Sequence, residues 1–411
     1  MGDGHINPPG LTADEKAGVS GLSAANPAMG QGYFLTSTHY QQSAAWAAKT
    51  VSVAADRYIL LSPVDGVVVI GTTVLTWRSQ TALNLSVAAT WDTVAGTDYT
   101  VAANRAGKNF YVYACIPVSG STPTWKVSMN ATAPSGYTTA NSRKVGGFHN
   151  LCVAVNHTST LTAWAADTVI ALGETRKATV WDGRIYRCSA RAGDFKTDAT
   201  TEPNWAGYAV GDSITDDQIT WEVEQHALEG YATGDILQWS VWDLKNRPTC
   251  SPTGMFKMIT DWMDIYLQSG TGSSTASAYG GTITQNRLYL SHLNDLLAVG
   301  KMMPRRHQFM QAAKGSNFNS VVAGGVRPTT TGGRLDIYGR RMISDYGAED
   351  CCGSHGQWLS DITSTAPNNA IGGGNWAGGT ATGYSRMSGG AEGTADANTS
   401  ARGVCPAQAD E

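Results

Sequence analysis

Short runs rich in Val, Ile, Tyr and Trp alternate with turn residues over the first 165 positions. The clearest runs are residues 58–61, 67–70, 74–77 and 110–113. β-Branched and aromatic residues in runs of this length, bounded by turns such as Asp65-Gly66 and Ala106-Gly107, are typical of strands. Several short strands at this spacing predict a β-sandwich, which we place at residues 33–165.

The first 32 residues lack this pattern. Pro8-Pro9-Gly10 and Asn26-Pro27 interrupt them, and only residues 12–16 favour a short helix. We therefore predict that residues 1–32 form an extended attachment arm.

A third pattern covers residues 166–228. An aromatic strand at 180–188 is followed by a loop with Pro203 and Trp205, and Asp216 precedes a final Thr220-Trp221 strand. This order predicts a small three-stranded β module and resembles modules of phage tail fibres and some chitin-binding domains. Its four large aromatics can either stack on sugars or form the core, and so small a module favours the core. They are Trp181, Tyr186, Trp205 and Trp221.

The remaining residues, 229–411, combine strand and helix patterns. Residues 236–242 and 262–267 predict strands, with a turn at 251–255 between them. Residues 291–300 have helical spacing of Leu293, Leu296 and Leu297 and end at a glycine, and residues 304–313 predict a second short helix. The chain is therefore predicted to be mainly β and multidomain, with an α+β C-terminal domain.

Charge and length exclude several classes of function. The 411 residues carry 29 Lys and Arg against 33 Asp and Glu, a net charge of -4, so no basic field attracts nucleic acid. No apolar stretch is long enough to span a membrane, and residues 1–5 lack signal-peptide features. We expect synthesis in a host cytoplasm, without membrane insertion.

Cysteine spacing and known catalytic motifs give no chemistry. The seven cysteines lack C-x-x-C spacing and are interpreted as free buried thiols, the adjacent pair Cys351-Cys352 included. No phosphate-binding loop, nucleophile elbow or H-E-x-x-H helix is present. We expect no cofactor, although Asp and Asn side chains within residues 361–398 leave Ca²⁺ open without an EF-hand array.

Residues 339–405 contain an ordered series of short motifs. They are Arg340-Arg341-Met342-Ile343-Ser344, Gly347-Ala348-Glu349-Asp350, Gln357-Trp358, Gly373-Gly374-Asn375-Trp376, Ser385-Arg386 and Ala401-Arg402-Gly403-Val404-Cys405. In this order and spacing, over about 180 residues, the series resembles the variable proteins of diversity-generating retroelements, the group that includes phage major tropism determinants.

The resemblance implies a C-type-lectin-like fold for residues 229–411 and a variable segment at about 355–400. It also implies a non-enzymatic, trimeric receptor-binding adhesin of a virion tail fibre or tail tip. Its partners would be a host cell-surface protein or glycan and, through the arm, other tail proteins.

The same resemblance implies the displayed positions, because adenine-directed mutagenesis in such proteins alters mainly Asn-type codons. Tyr384, Met387 and His355 are the leading contact residues, since their side chains gain most from desolvation and stacking. The complete predicted set is His355, Ala377, Gly378, Thr380, Thr382, Tyr384, Met387, Gly389, Glu392, Thr394 and Asp396.

Composition predicts how this segment is held. Residues 360–400 are rich in Gly, Ala, Thr, Ser and Asn, with Trp358 and Trp376 as anchors, which predicts a pinned and mostly irregular surface. We expect both tryptophans in the core. Six charged residues are expected to be ion-pair partners that hold loops: Arg340, Arg341, Glu349, Asp350, Arg386 and Arg402.

Three other functions stay open on the sequence. A structural virion connector needs no receptor-binding face. An oxidase similar to the formylglycine-generating enzymes needs a reactive cysteine pair in a groove. A glycan-degrading spike needs two carboxylates about 5–10 Å apart, and Asp264, Asp295, Asp336, Glu349 and Asp350 are available.

Overall fold

A computed structural model of the chain describes residues 40–42, 45–49, 54–92, 97–363, 368–379 and 382–408. The predicted arm and its helix at 12–16 lie outside these residues. In the described part the architecture is mainly β, and most strands are short. Short 3-10 turns are Ala54–Asp56, Ala88–Thr90, Gln238–Ser240, Gly272–Ser274 and Ala323–Gly325.

The described residues up to position 160 hold nine strands and two short helices. The strands are β1 (Tyr40–Gln42), β2 (Ala47–Ala48), β3 (Ile59–Leu61), β4 (Gly66–Ile70), β5 (Thr73–Trp77), β6 (Ala82–Asn84), β7 (Asn109–Cys115), β8 (Thr124–Ser128) and β9 (Ser142–His149), and the helices are α1 (Ala102–Arg105) and α2 (His157–Thr160). The four predicted strands are thus confirmed as β3, β4, β5 and β7. They belong to sheets with the orders β1-β4-β5, β2-β3-β6 and β14-β9-β7-β8, where β14 is Trp242–Asp243.

These sheets enclose one aromatic core. Trp125 packs edge-on against Trp46 and Trp77, with ring centroids 5.1 and 5.0 Å apart, and Phe110 packs against Trp91 at 4.9 Å. Such edge-to-face pairs add to the burial of large apolar surface. The sandwich prediction for this region is confirmed by this two-sided packing.

The small module is a four-stranded sheet of order β10-β11-β13-β12. Its strands are β10 (Thr175–Arg176), β11 (Ile185–Arg191), β12 (Ser213–Asp216) and β13 (Ile219–Glu224), so a two-residue strand adds to the three predicted. Tyr186, Trp205 and Trp221 are buried, which confirms the preference for core over sugar platform at these three residues, whereas Trp181 is half-buried and lies outside the core cluster. Asp216 Oδ2 accepts the indole N–H of both Trp164 and Trp221, at 2.8 and 2.9 Å, which explains an aspartate in the closing motif.

The described residues of the C-terminal domain form eight strands and two helices. They are β14 (Trp242–Asp243), β15 (Met255–Lys257), β16 (Asp261–Asp264), α3 (Tyr289–Leu297), α4 (Arg306–Ala312), β17 (Gly356–Ile362), β18 (Asn368–Gly373), β19 (Gly383–Ala391), β20 (Thr399–Ser400) and β21 (Val404–Pro406). Two sheets, β15-β16-β21 and β19-β18-β17-β20, belong to this domain alone. Both predicted helices are confirmed.

The predicted strand at 236–242 is wrong. Gln238–Ser240 is a 3-10 turn, closed by the Ser240 hydroxyl that donates to the Leu237 carbonyl at 2.6 Å. Only Trp242–Asp243 remains extended, and it pairs with β9 of the sandwich. The apolar run is needed because Leu237 packs in the C-terminal core and Ile236 in the sandwich core, so the segment connects two cores.

The core of the C-terminal domain also takes residues from outside it. Leu151, Cys152 and Val155 pack in one cluster with Phe256, Phe309 and other buried residues of the domain. The packing therefore continues across the predicted border between these regions, and the predicted domain boundaries stay predictions.

Candidate ligand-binding face

The predicted variable segment forms most of one sheet, and β19 lies at the edge of that sheet. β18 and β19 are antiparallel, with Asn368 opposite Ala391 and Gly372 opposite Met387. β20 pairs in parallel with β17 and closes the other edge. Most residues of β19 are exposed. The expectation of a mostly irregular surface is therefore wrong, because backbone pairing gives this small-residue segment a regular sheet.

Glycine is required where this sheet approaches core aromatics. A Cβ atom at Gly372 would lie 2.8 Å from the Phe309 ring, and one at Gly390 would lie 2.6 Å from the Trp358 ring. Neither ring is a flexible chain end that can move aside cheaply. The small residues are therefore a packing requirement of the face.

Two neighbouring glycines test this assignment. We expect Gly390→Ala to lower the free energy of unfolding by about 2 kcal/mol, because its methyl group would overlap the Trp358 ring. Gly389→Ala is the matched control: its Cβ would meet only Thr363, with Oγ1 at 3.1 Å, at an exposed site. Its effect should stay within about 0.5 kcal/mol. Urea denaturation of both variants measures the difference, and equal losses would contradict the assignment.

A cleft of about 200 Å³ lies beside β19. Buried Trp358 and half-buried Ile371 contribute apolar surface to it, while Asn375, Thr394 and Asp396 contribute polar groups. An apolar floor with a few polar side chains is typical of sites that take one ligand group. Three predicted residues, Gly389, Thr394 and Asp396, line this cleft.

The predicted site residues fall into three groups by burial. Ala377, Tyr384, Gly389 and Thr394 are exposed, whereas Gly378, Met387, Glu392 and Asp396 are half-buried. His355 and Thr382 are buried. Thr380 lies outside the described residues. Eight of the predicted positions are thus exposed or half-buried. Six of them lie on β19 or in the loop after it, whereas Ala377 and Gly378 lie in the loop between β18 and β19. The role of these residues as ligand contacts stays a prediction.

His355 is not displayed. Its exposed fraction is 0%, and Nε2 lies 3.0 Å from Gln285 Oε1. Burial, with the nearby charges of Arg327 and Arg334, lowers the pKa of the ring to about 4. His355 is therefore a neutral interior side chain, and its prediction as a leading contact residue is corrected. It directly precedes β17, whose first residues are buried.

Thr382 is also an interior residue. Its Oγ1 donates to the Ser320 carbonyl at 2.7 Å and accepts the Ser320 amide at 2.9 Å. These two bonds fix the start of β19 against residues 319–320. The polar character that suggested display instead satisfies buried backbone groups.

Tyr384 is the exposed aromatic of the face, with 37% of its surface accessible. Its ring centroid lies 5.9 Å from that of Phe318, and Phe318 in turn lies 4.8 Å from the guanidinium carbon of Arg187. Arg187 belongs to the small module, where Glu222 and Glu224 hold it at 2.5 Å each. The module therefore supports the position of Tyr384 through Phe318.

No pattern in the sequence singled out Phe318 or Arg187. Both lie outside the predicted variable segment. The one hint in the sequence is Asn319, the residue after Phe318. It adopts a positive φ of 53°, a conformation that asparagine tolerates better than most residues. Gly173 of the module packs directly on it, since a Cβ there would lie 2.3 Å from Asn319 Cβ.

Met387 is half-buried and packs against the main C-terminal core. Asp396 uses Oδ1 to accept the Asn398 amide at 2.8 Å, and its carbonyl accepts the Asn286 amide at 3.1 Å. Both residues therefore stabilise the structure of the face in addition to being partly exposed on it. Trp358 is buried as predicted, whereas Trp376 is half-buried and donates its indole N–H to Asn398 Oδ1 at 2.8 Å.

Beneath the face, Arg402 connects several segments. It is 0% exposed, and its guanidinium donates to Gln357 Oε1 at 2.9 Å and to the Asp264 and Ile265 carbonyls at 2.7 and 2.5 Å, as well as to the Glu349 carbonyl. These acceptors lie in or beside β16, β17 and the 349–350 turn. Arg402 therefore donates hydrogen bonds to a side-chain amide oxygen and to backbone carbonyls, and does not form the predicted ion pair.

The other predicted charge pairs are mostly confirmed. Arg341 and Glu349 form a pair at 2.5 Å, each 1% exposed, and Arg340 pairs with Glu224 of the module. Arg386 is exposed and lies 3.5 Å from Asn319 Oδ1. These contacts hold the loops around the face.

Comparison with known proteins agrees with this architecture. Residues 67–182 match the family described as the Mtd second domain. The solved M1 variant of the Major Tropism Determinant is 19% identical and gives a TM-score of 0.58, over 93% of this chain and 90% of that one. The P3c variant gives the same identity and TM-score over 92% and 89%. No curated protein matches the sequence.

The chain has the fold of the major tropism determinants. The family resemblance of the C-terminal motifs is confirmed at the level of fold, and the fold class is mainly β with a C-type-lectin-like domain. The Mtd second-domain match crosses the predicted border at residues 165 and 166.

Within this determinant fold, we find neither a cluster of three metal-binding side chains nor a helix long and apolar enough to cross a bilayer among the described residues. Cys351 and Cys352 are buried, and burial raises the pKa of Cys351 to about 11 and that of Cys352 well above its ordinary value. A thiol with a raised pKa is a poor nucleophile at neutral pH.

Proposed function

We propose that this protein is a phage tail-associated receptor-binding adhesin that recognises a host cell-surface ligand through the face around β19. The observation that carries the proposal is the contrast within one segment. Eight predicted variable positions are exposed or half-buried, six of them on β19 or in the loop after it, while the glycines and Trp358 beside them are fixed by packing. A rigid scaffold with replaceable surface side chains suits recognition of changing ligands.

The fold supports the virion context, since the similar structures are named as tropism determinants. By the same resemblance we propose a homotrimer whose N-terminal arm binds other tail proteins. Repeated copies would convert weak single sites into firm adsorption through effective concentration. The proposed mechanism is recognition without catalysis and needs no cofactor, so EDTA should leave binding unchanged.

A point variant tests the face directly. We expect Tyr384→Ala to weaken binding of the purified protein to host cells about tenfold or more, because it removes the largest exposed aromatic of the face. Tyr279→Ala is the matched control, since the exposed fractions are 37% for Tyr384 and 40% for Tyr279. Tyr279 packs on Tyr266 and lies beside Gly107 and Gly332, all outside the predicted variable segment.

Cell binding by flow cytometry, with the melting temperature (Tm) of each variant, separates loss of contact from loss of fold. If the folded Tyr384→Ala and Tyr279→Ala variants bind host cells equally well, Tyr384 is not a ligand contact. Protease or periodate treatment of the cells then distinguishes a protein ligand from a glycan. Deep sequencing of codons 340–405 tests diversification independently: substitutions should fall at the exposed positions and spare Trp358, His355 and Arg402.

A structural virion connector is the second candidate, and its test needs care. Deleting about 60 C-terminal residues would remove β17 to β21 together with Arg402, and so would unfold the domain as well as remove the face. Surface variants in intact particles are the better test. Normal adsorption by a particle with several exposed β19 residues replaced would favour the connector.

A further inference from the structure

Two cysteines that are 155 positions apart meet beside the last strand of the protein. Cys405 lies in β21 and is buried, and Cys250 lies in the segment before β15 and is partly exposed. The Cys250 amide donates to Cys405 Sγ at 3.2 Å, and the Thr249 hydroxyl lies 3.1 Å from the same sulfur. Both cysteines pack in one apolar cluster with Trp242, Met255 and Trp262.

The surroundings stabilise a thiolate at Cys405. The neighbouring Cys250 thiol, followed by hydrogen bonds from the side chain of Thr249 and from backbone amides, lowers the pKa of Cys405 to about 6. The same proximity, together with burial, raises the pKa of Cys250. By contrast, burial raises the pKa values of Cys115 and Cys188 to about 12 and 11. Exchange requires a thiolate, and the Cys405 thiolate can generate one at Cys250 by accepting the proton of the Cys250 thiol.

We propose that Cys250 and Cys405 are a thiol–disulfide exchange site that closes to an intramolecular disulfide with a low-molecular-weight disulfide such as oxidised glutathione. The partly exposed Cys250 Sγ attacks one sulfur of glutathione disulfide and passes its proton to Cys405. The glutathione S–S bond breaks, a mixed disulfide forms on Cys250, and the first glutathione thiolate leaves and takes a proton from water.

Cys405 then loses the proton and attacks Cys250 Sγ. The mixed disulfide breaks, and the second glutathione leaves with that proton. Two protein thiols are oxidised and one glutathione disulfide is reduced to two thiols. The Cys250 amide already lies 3.2 Å from Cys405 Sγ, so the second step needs no large backbone movement.

The bond would clamp the C-terminal strand. β21 is held by pairing with β16, by the Thr249 amide donating to the Pro406 carbonyl at 3.1 Å, and by the Gln408 amide donating to the Arg247 carbonyl at 2.8 Å. Arg402 lies three positions before Cys405. A crosslink here would restrain the unfolded chain over a long loop. It would also prevent fraying of β21, which directly follows the segment that contains Arg402.

The test equilibrates the full-length protein with glutathione at a series of reduced-to-oxidised ratios. We expect the seven free thiols to fall to five, one crosslinked peptide pair containing Cys250 and Cys405, and a Tm about 5 °C above that in reductant. Cys250→Ser should show no gain in Tm with oxidised glutathione. Cys188→Ala leaves the pair intact and should keep the gain.

Peptide mapping of the unaltered protein makes the result independent of how the variants fold. Seven remaining thiols at high oxidised glutathione, a stable glutathione adduct on Cys250, or a crosslink between other cysteines would each overturn the proposal. The receptor-binding proposal does not depend on this result.

Discussion

Replacing Arg402 with methionine should destabilise the C-terminal domain by about 4 kcal/mol, the largest single-residue effect we expect in this protein. Methionine fills part of the space but leaves Gln357 Oε1 and the Asp264, Ile265 and Glu349 carbonyls without the guanidinium donor. Buried acceptors that lose a charged donor cost more than the net worth of the bonds themselves. Urea denaturation followed by tryptophan fluorescence measures the loss.

Two further variants serve as comparisons for Arg402→Met. Arg386→Met removes an exposed arginine from β19 and should change stability by less than about 0.5 kcal/mol. Arg402→Lys keeps the charge but loses the planar fork, so its effect should lie between those of the two methionine variants. A loss for Arg402→Met no greater than that of the Arg386 control would show that the carbonyl contacts do not hold the domain.

Acidification should destabilise the protein through histidines that are buried in the neutral form, and His149 is the clearest case. Its Nδ1 lies 2.9 Å from Asn109 Oδ1, and its Nε2 lies 2.9 Å from the Tyr266 hydroxyl. Asn109 Oδ1 also accepts the Gly254 amide, so Nδ1 donates and Nε2 accepts. Burial lowers the pKa of His149 to about 3.

The sign follows from the two states. The folded pKa lies below the unfolded value of about 6.5, so the contribution of His149 is complete above pH 6.5 and is lost as pH falls toward 3. Between about pH 7.5 and about pH 4.5 the loss from this residue should be about 2–3 kcal/mol. Burial lowers the pKa of His226 as well, and its contribution has the same sign.

Some carboxyl groups act in the opposite sense. Burial raises the pKa of Asp350 from 3.8 to about 6, so its protonation in the folded state offsets part of the loss as the pH falls through that range. The measurement is therefore a difference: the unfolding free energy of the unaltered protein and of His149→Gln at both pH values.

The glutamine of the His149→Gln variant cannot titrate, so the pH-dependent loss should be about 2–3 kcal/mol smaller in that variant. The exposed His307 provides the control, and His307→Gln should keep the unaltered profile. Parallel pH profiles for the unaltered protein and His149→Gln would show that the His149 ring does not remain neutral in the folded state.

The hydrophobic pattern predicted strands and helices best where a segment packs in a single hydrophobic core. The runs at 58–61, 67–70, 74–77 and 110–113 all became strands, and the leucines at 293 and 296 correctly indicated α3. The pattern failed at 236–242, where neighbouring residues serve two different cores and the chain turns between them. It failed again at 360–400, where glycine is typical of loops but is required here by aromatic neighbours.

For the candidate site, too, the sequence predicted some residues correctly and misplaced or missed others. The ordered motifs indicated the fold, and two of the predicted site positions, Tyr384 and Thr394, are exposed. His355 and Thr382 were misplaced because polarity alone does not distinguish display from a buried hydrogen bond. Phe318 and Arg187 were missed because they reach Tyr384 only through contacts between distant segments.

The mainly β composition, the order of the patterned regions and the C-type-lectin-like character of the last one follow from the amino-acid sequence alone, because they depend on local propensity and ordered motifs. Which side of each strand faces the core, which glycines are fixed and which charges are paired became known only from the folded chain. Those properties depend on contacts between residues far apart in the sequence, such as Arg402 with Asp264 and Cys250 with Cys405. Burial, not residue type, sets the chemistry of each group.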